Sequence, residues 1–411
     1  MRFPSVIVRL LGVERTVVER VEFADEALVV HVRPTWAERR RCGVCRRRCT
    51  GYDAGAGRRR WRGLDWATTK VLLEADAPRV ECFEHGVAVA AVPWARHGSR
   101  HTRAFEDTCA WLATHTSRTA TAELLRVAWR TVTGVCERVA AEAEASTDRF
   151  ANLRRIGIDE VAHRKGHRYI TVVVDHDTGR LIWGAKGKDA ATLEGFFDLL
   201  GDERNARIEA VSADAAPWIE TVVGARCENA QLCMDPFHVV AWATKALDEV
   251  RREVWNEARR QGQTAIAREL KGARFALWKN PEDLSERQAA KLSSIQRTNR
   301  TLYRAYLLKE QLRQVFRLPW RQAMRLLDRW IAWALRCRIP AFVEVARSVA
   351  RHRAGIEHAL RRDLSNARIE SLNTRIRVLT RQAFGFGSPE AMIAMAMLAL
   401  GGLCPPLPGR G

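Results

Sequence analysis

Three acidic residues, Asp159, Asp214 and Glu370, stand in local sequences that could bring their carboxylates together. Asp159 lies in the apolar stretch 153–160, and Asp214 ends the apolar stretch 208–214, so both are expected at strands. Hard cations such as Mg²⁺ or Mn²⁺ bind oxygen ligands of this type. Two such ions about 3.5–4 Å apart can promote in-line displacement at a phosphodiester. The three acids are therefore a candidate metal-binding catalytic triad.

The third acid is predicted on a helix. Four apolar residues recur at helical spacing within 366–380, namely Ile369, Leu372, Ile376 and Leu379. This spacing leaves a polar stripe formed by Asn366, Glu370, Asn373 and Arg377. Asp363 is the neighbouring acid that would replace Glu370 if the third ligand lay before the helix.

The strands that would position these acids follow a recognisable order. Five strands are predicted, at Arg155–Glu160, Tyr169–Asp175, Leu181–Gly184, Ile208–Asp214 and Gln231–Asp235, with helices after Asp189, Ala215 and Pro236. Three strands followed by alternating helices and strands indicate a ribonuclease H-like mixed sheet. A long basic helical block over 242–353 then interrupts this fold before Glu370. The chain has no GxxxxGK[ST] loop, which disfavours an ATP-driven machine.

Asp235 and His238 follow the fifth predicted strand, close to where the acids would meet. They could position substrate or support the metal ligands. Equally, Asp235 could cap the helix that Pro236 opens, and His238 could pack beneath that helix.

Two pairs of potential zinc ligands lie near the amino terminus. Cys42 and Cys45 form one pair, and Cys82 and His85 form the second, so together they could bind one tetrahedral Zn²⁺. Cys49 is a competing ligand. Unrelated thiols and a surface histidine are the alternative interpretation.

Basic residues near these pairs predict contacts with DNA. Arg58, Arg59 and Arg60 are expected to contact phosphates. Three short helices predicted within 103–145 fit a helix-turn-helix, although such units also occur as spacers. The third helix would expose a row of DNA-contacting residues, namely Arg130, Thr131, Thr133 and Arg138.

The composition agrees with a polyanionic partner. The chain of 411 residues has 68 Lys and Arg against 48 Asp and Glu, a formal net charge of +20.

Residues 1–35 predict a strand hairpin and not a signal peptide, and the longest apolar run, 391–400, is about half of a bilayer span. We therefore expect a cytoplasmic, nucleoid-associated bacterial protein with no membrane partner and no nucleotide cofactor.

The motifs resemble those of the ISL-three family of transposases from bacterial insertion sequences. The resemblance covers nearly the whole chain and is carried by these segments: Cys42-x-x-Cys45, Cys82-Phe-Glu-His-Gly-Val87, Val92-Pro-Trp-Ala95, Gly157-Ile-Asp159-Glu160, Val211-Ser-Ala-Asp214, Met234-Asp-Pro-Phe-His-Val239, Ser365-Asn-Ala-Arg-Ile-Glu-Ser-Leu-Asn373 and Arg381-Gln-Ala-Phe-Gly-Phe386. It implies a zinc-binding element and a helix-turn-helix before a DDE-type catalytic domain, with Asp159, Asp214 and Glu370 as the triad. His85 stands where another Cys could be expected.

These observations predict a multidomain α/β protein with a ribonuclease H-like catalytic core. The predicted parts are a strand hairpin and zinc module (1–100), a helix-turn-helix (101–150), the first part of the core (151–240), a helical insertion (241–355) and the returning and terminal helices (356–411). The protein is expected to bind the terminal inverted repeats of an insertion sequence and to catalyse strand cleavage and strand transfer with Mg²⁺ or Mn²⁺. It is expected to act as a homo-oligomer on double-stranded DNA. Arg377 and Arg381 are further candidate DNA contacts. The alternatives are a repressor derived from a transposase and a structure-selective nuclease of the same fold.

Overall fold

The computed structural model describes residues 3–164, 166, 168–214, 216–364 and 367–410. Ala215 and Ser365, beside predicted helices, and Asn366, predicted on the polar stripe with Glu370, lie outside the described residues. The chain divides into two compact units. The first contains 1–149, 180–185 and 374–411, and the second contains 150–179 and 186–373.

The first unit contains the predicted strands, but one helix that the sequence pattern did not predict precedes them. Helix α1 covers Phe3–Leu10, where a strand hairpin was expected over 1–35, and the hairpin itself follows it. The strands of this region are β1 (Thr16–Ala24), β2 (Ala27–Pro34), β3 (Thr50–Asp53), β4 (Arg58–Arg62), β5 (Lys70–Asp76), β6 (Arg79–Cys82) and β7 (Gly86–Val89). Ile7 of α1 is buried in the hydrophobic core of this region, so its apolar face explains the helix.

These strands form two small sheets. One has the order β1-β2-β5-β4 and the other has the order β3-β6-β7. Trp61 and Trp94 are buried in the core of the first sheet and meet edge to face, with ring centroids 5.6 Å apart. The segment between the two ligand pairs is therefore strand-rich.

Three helices follow in the first unit, and a fourth from the end of the chain packs on them. They are α2 (Arg103–His115), α3 (Arg118–Leu125), α4 (Trp129–Ser146) and α17 (Pro389–Leu400). Thr102 and Ser117 cap α2 and α3 through their side-chain oxygens, and Arg126 ends α3 in a left-handed conformation. Apolar residues of α17 pack against α4, so 374–411 groups with the amino-terminal residues in the first compact unit.

The central sheet has five strands among the described residues, in the order β10-β9-β8-β11-β12. The strands are β8 (Arg155–Arg164), β9 (Arg168–Asp175), β10 (Leu181–Lys186), β11 (Ala210–Ala213) and β12 (Gln231–Met234). In the second unit, β9 runs antiparallel to β8, and β11 runs parallel to both β8 and β12. The five predicted strands are therefore present, and β8 is longer than expected.

Helices of the second unit connect these strands and form the basic block. Between strands lie α5 (Ala190–Leu200), α6 (Asp202–Asn205) and α7 (Pro217–Arg226). The block contains α8 (Pro236–Arg260), α9 (Thr264–Gly272), α10 (Arg274–Trp278), α11 (Glu286–Thr298), α12 (Arg300–Val315), α13 (Trp320–Leu335), α14 (Pro340–Arg351) and α15 (Arg353–Arg362). These helices bury a shared core around Trp330, Phe342 and Leu312. Since α8 is continuous, the boundary predicted at 240 falls inside a helix.

Helix α16 (Ala367–Gln382) carries the third predicted acid. Its apolar residues Ile369, Leu372 and Ile376 are buried, as the helical spacing predicted. No helix in the described part of the chain combines the length and apolar character needed to cross a membrane.

Candidate active site

The parallel register of β8 and β11 brings two of the predicted acids together. Ser212 is paired with Gly157, so continuing the same register by two residues places Asp214 beside Asp159. Neighbouring strands lie roughly 4.8 Å apart. One oxygen from each of Asp159, Glu160 and Asp214 lies within 4.8 Å of the others. The structure therefore forms a carboxylate cluster where the sequence analysis expected one.

Glu160 is a member of this cluster that the sequence analysis did not select. Successive residues of a strand usually point to opposite faces, so strand alternation does not predict two neighbouring acids in one site. The Glu160 side chain is only 7% exposed, and its Oε2 lies 3.4 Å from Lys188 Nζ. Its Oε1 has no hydrogen-bond partner among the described residues. Burial raises the pKa of Glu160 above its ordinary value.

Asp159 is held by two hydrogen bonds. The backbone N–H of Glu160 donates to Asp159 Oδ1 at 2.7 Å, and Asn373 Nδ2 donates to Asp159 Oδ2 at 2.5 Å. Burial, together with the nearby charge of Asp214, raises the pKa of Asp159 to about 6. Like charges are thus concentrated in a partly desolvated site.

His238 links the second acid to a buried neighbour. Its Nδ1 lies 2.9 Å from Asp214 Oδ1 and 2.9 Å from Asp235 Oδ2. Hydrogen bonds to Asp214 first, and to Asp235 second, raise the pKa of His238 to about 10. Asp235 is 1% exposed and caps α8 by accepting from the His238 backbone N–H. The capping interpretation of Asp235 is confirmed, but His238 is not packed beneath the helix, because its side chain is 37% exposed.

Helix α16 approaches this cluster over a glycine. A Cβ built on Gly157 would lie 2.1 Å from Ile369 Cδ1, so glycine at this position lets the Ile369 side chain pack closely against β8. Glu370 follows Ile369, is half-buried, and lies one turn before Asn373. Among the described residues, Glu370 does not join the oxygens that lie within 4.8 Å of one another. Asp363, the competing acid, is exposed at the left-handed end of α15.

The predicted zinc ligands form a second cluster, in the first unit. One ligand atom from each of Cys42, Cys45, Cys82 and His85 lies within 4.8 Å of the others. The Cys45 and Cys82 sulfurs are 3.7 Å apart, and His85 Nδ1 lies 3.7 Å from Cys82 Sγ. The hydrogen bond from His85 lowers the pKa of the Cys82 thiol to about 6, which favours the thiolate that binds metal. Cys49 instead donates to Arg47 O at 3.3 Å and is not in the cluster.

The residues predicted to contact DNA fall into two groups on α4. Arg130 is exposed and Thr131 half-buried, at the start of the helix. Arg138 lies about two turns further on, and its guanidinium donates to Oε1 of Glu106 at 2.7 and 3.0 Å. Since Glu106 is fully buried, Arg138 neutralises a charge inside the helical bundle. Arg138 therefore has a partner inside the fold, although its side chain is 34% exposed, and its contact with DNA stays a prediction. Thr133 accepts a hydrogen bond from Arg118.

The other candidate arginines are exposed to different degrees. Arg58 and Arg60 are exposed and pair with Glu74, at 3.2 and 2.7 Å, whereas Arg59 lies over the Trp61 ring. Arg377 and Arg381 are exposed on α16.

Three family models match the chain in the order of its structural parts. A zinc-finger model of transposases IS204, IS1001, IS1096 and IS1165 matches residues 38–85. A model described as the helix-turn-helix domain of transposase family ISL3, the ISL-three family, matches 90–140, and the DDE transposase model of the same family matches 156–396. The chain belongs to the ISL-three family of transposases.

Full-length relatives agree with this assignment to the ISL-three family. A protein of Mycobacterium tuberculosis named as the transposase for insertion sequence element IS1557 is 57% identical, over 98% of this chain and 96% of that protein. The transposase for insertion sequence element IS1001 of Bordetella parapertussis is 28% identical, over 91% of this chain and 92% of that protein. As an ISL-three member, this DDE-type transposase carries its zinc-finger, helix-turn-helix and catalytic parts in the predicted order.

Proposed function

We propose that this protein binds the terminal inverted repeats of its insertion sequence and catalyses metal-dependent strand cleavage and strand transfer. The observation that carries the proposal is the convergence of Asp159, Glu160 and Asp214 on a chain that also contains a helix-turn-helix. A repressor that had lost catalysis would have no use for three half-buried carboxylates so close together, because their negative charges repel one another.

The carboxylate cluster suits Mg²⁺ or Mn²⁺. Its donors are all oxygens, which hard divalent cations prefer over the nitrogen and sulfur ligands that suit softer metals. Three buried oxygens at the site, Glu160 Oε1, Asp214 Oδ1 and Asn373 Oδ1, accept no hydrogen bond of good geometry among the described residues. A bound cation would satisfy such oxygens and relieve the repulsion that raises the pKa of Asp159.

We assign the metal ligands to Asp159, Asp214 and Glu370, with Glu160 as an additional carboxylate beside them. The position of α16 supports Glu370 as a metal ligand, because Ile369 of this helix packs over Gly157 and Asn373 donates a hydrogen bond to Asp159. Glu370 and Asn373 are three residues apart and so share a helical face. Divalent cations bound here would stabilise the charge that develops on the attacking and leaving oxygens of a phosphodiester.

The protein's own groups hold these carboxylates in place. Asn373 and the Glu160 N–H fix both oxygens of Asp159. His238 forms an ion pair with Oδ1 of Asp214 at 2.9 Å. Asp235 in turn fixes the His238 ring through the same Nδ1. We infer that His238 and Asp235 are positioning residues for Asp214.

The proposed reaction exchanges one phosphodiester bond for another. Water first attacks phosphorus at the element end and releases a 3′-hydroxyl. That hydroxyl then attacks a phosphodiester of target DNA, forming one P–O bond as another breaks. Because the number of P–O bonds is conserved in the second step, strand transfer needs neither ATP nor a covalent protein intermediate.

We propose a ribonuclease H-like fold for the catalytic core. Its support is the strand order β10-β9-β8-β11-β12, with β8 and β9 antiparallel and β11 and β12 parallel to β8. In this arrangement β8 and β11, the first and fourth strands of the sheet in chain order, are neighbours. Their pairing brings Asp159 and Asp214 together.

We propose that Cys42, Cys45, Cys82 and His85 bind one structural Zn²⁺. Tetrahedral zinc with Zn–S bonds of about 2.3 Å places two sulfurs roughly 3.8 Å apart. The Cys45–Cys82 separation of 3.7 Å fits this value. With four protein ligands the site would be closed, as structural zinc sites are.

We propose that the amino-terminal unit reads double-stranded DNA. Arg130 and Thr131 at the start of α4 would contact bases, and Arg58, Arg59, Arg60, Arg377 and Arg381 would contact phosphates. Because an element has two ends to be cleaved, we propose that the protein acts as a homo-oligomer assembled on DNA. This assembly would form on the bacterial nucleoid.

The proposal is tested with the full-length protein and labelled DNA carrying the inverted repeat that flanks its gene. We expect specific binding and, with Mg²⁺ or Mn²⁺, cleavage at the element end and joining to a target plasmid. Ca²⁺ should support binding without efficient turnover. Specific binding without cleavage in either metal would indicate the repressor, and cleavage that follows DNA structure regardless of sequence would indicate the nuclease.

A further inference from the structure

Helix α16 ends in a hydrogen-bonded turn that places an aromatic residue where glycine is usual. The Gly385 N–H donates to Thr380 O at 2.8 Å, and the Phe384 N–H donates to Arg381 O at 3.0 Å. These two bonds define a Schellman motif in which Phe384 occupies the left-handed position, with φ of 52°. A bulky side chain is disfavoured there, because its Cβ crowds the backbone.

The Phe384 side chain gains nothing from the fold in return for this conformation. It is 87% exposed, whereas Phe386 two residues later is 8% exposed. Burial of apolar surface therefore does not explain why Phe and not Gly stands at position 384. An exposed aromatic residue held in an unfavourable conformation is instead a candidate for a contact with a partner.

The turn around Phe384 is held rigidly by one buried arginine. Arg118 Nη2 donates to Ala383 O at 2.8 Å and also to Gly385 O, the carbonyls on either side of Phe384. The Arg118 guanidinium lies 4.9 Å from the centre of the Phe386 ring and 5.4 Å from that of Trp129. Because Trp129 begins α4, Arg118 fixes the position of Phe384 relative to the helix-turn-helix, within the first unit.

The surroundings of Phe384 indicate the chemistry of its partner. Arg377 and Arg381 are exposed on the preceding turns of α16, and Arg130 is exposed at the start of α4. A partner that offers both a flat apolar face and negative charge matches this combination. Nucleotides have both, and an aromatic ring stacked on a base beside an arginine bound to phosphate is a common way to hold unpaired DNA.

We infer that Phe384 stacks on an unpaired base of the DNA that the helix-turn-helix holds. The base must be unpaired, because bases inside a duplex are already covered on both faces by their neighbours. This inference rests on the proposed function, since it requires that the amino-terminal unit binds element ends. It adds a site for a single-stranded nucleotide next to the duplex-binding surface.

The test compares two DNA probes and three variants of the full-length protein. One probe is a duplex carrying the inverted repeat, fully paired, and the other is the same duplex with a short oligothymidine overhang at the element end. The variants are Phe384→Gly, Phe384→Trp and, as a matched control, Phe23→Thr, which removes an exposed aromatic residue of β1. Binding is followed by fluorescence anisotropy, folding by thermal denaturation and oligomeric state by sedimentation.

We expect Phe384→Gly to melt at the same temperature as the wild type or higher, because glycine relieves the left-handed strain. Its affinity for the overhang probe should fall about tenfold, in line with the effect of losing one stacked base, while affinity for the paired probe stays unchanged. Phe384→Trp and Phe23→Thr should bind both probes as the wild type does.

Three results would overturn the inference while leaving the proposed function intact. These are wild-type binding of both probes by Phe384→Gly, an equal loss on both probes, and a change of oligomeric state with DNA binding unaltered, which would make Phe384 a protein contact. If the wild-type protein binds neither probe, the proposed function itself fails and the inference falls with it.

Discussion

Asn373 Nδ2 donates a hydrogen bond to Asp159 Oδ2 at 2.5 Å, joining helix α16 to the first acidic residue of the catalytic cluster. Asn373 is 3% exposed. A buried amide bonded to a carboxylate fixes the orientation of that carboxylate, which is the role that residues beside metal ligands commonly have. The bond therefore connects the position of α16 to the geometry of the metal site.

We predict that Asn373→Ala lowers DNA cleavage by about 10–100-fold, the usual effect of removing a group that orients a metal ligand. Asp159 would lose a fixed orientation, so the metal concentration needed for half-maximal cleavage should rise as well. The control is Arg375→Ala, an exposed residue of the same helix, which should cleave like the wild type. Cleavage by Asn373→Ala with wild-type metal dependence would show that the bond has no part in catalysis.

We predict that Gly157→Ala impairs both folding stability and cleavage. The new Cβ would lie 2.1 Å from Ile369 Cδ1 and 2.9 Å from His176 Nε2, so these buried side chains must shift and the packing of α16 on the sheet is disturbed. Overpacking of this kind costs about 1–3 kcal/mol. Urea denaturation and the cleavage assay measure the two effects.

The control for that substitution is Gly195→Ala in α5, where nothing lies within 4 Å of the added carbon. It should leave cleavage unchanged and raise stability by roughly 0.5–1 kcal/mol. Adding Ile369→Ala to Gly157→Ala should restore part of the lost activity by making room for the new Cβ. Full activity in Gly157→Ala alone would mean that α16 does not pack as described.

Much of this site could be predicted because its signals are local. Asp159 and Asp214 stand at apolar runs that fold into β8 and β11, and α16 follows the spacing of its apolar residues. Glu160 could not be predicted from strand alternation, which places neighbours on opposite faces. Asn373 was visible on the polar stripe, but its bond to Asp159 depends on packing over Gly157, a contact between distant segments.

Other differences have the same origin in long-range packing. Arg138 has the exposed-face spacing of a DNA contact, yet the buried Glu106 of another helix binds its guanidinium. Helix α1 is too short for the periodicity of its apolar residues to distinguish a helix from a strand. Its place in the fold depends on the burial of Ile7 in the core of the first sheet. The carboxyl-terminal helix was predicted, and Ser388 caps it, but the sequence gives no indication that it packs on α4.

We predict that each zinc ligand is required and that Cys49 is not. Metal analysis of the purified protein should find about one zinc per chain, and Cys82→Ser or Cys42→Ser should lose it. Cys49→Ser is the matched control and should keep zinc, because Cys49 bonds to Arg47 O outside the cluster. Zinc retained in Cys82→Ser but lost in Cys49→Ser would exchange the two assignments.

We predict opposite consequences for two arginines of α4. Arg130→Ala should weaken discrimination between the inverted repeat and random DNA, by about 1–3 kcal/mol if Arg130 contacts a base, without changing stability. Arg138→Ala should destabilise the helical bundle by roughly 2 kcal/mol or more, because it removes a partner from the buried Glu106 carboxylate. Binding competition and thermal denaturation distinguish them. Unchanged stability in Arg138→Ala would return that residue to the DNA-binding surface.

The central claim is that Asp159, Asp214 and Glu370 form one metal-binding catalytic site. The most direct test is cleavage of labelled element ends in Mg²⁺ by Glu370→Gln, beside Asp159→Asn and Asp214→Asn, with DNA binding measured on the same samples. Each substitution keeps the side-chain size and removes a ligating charge, so all three should bind ends like the wild type and show no detectable cleavage or strand transfer. Glu160→Gln and Asp363→Asn complete the series. Near wild-type cleavage by Glu370→Gln, with loss of cleavage in Glu160→Gln or Asp363→Asn, would contradict the assigned triad and identify the acid that replaces Glu370.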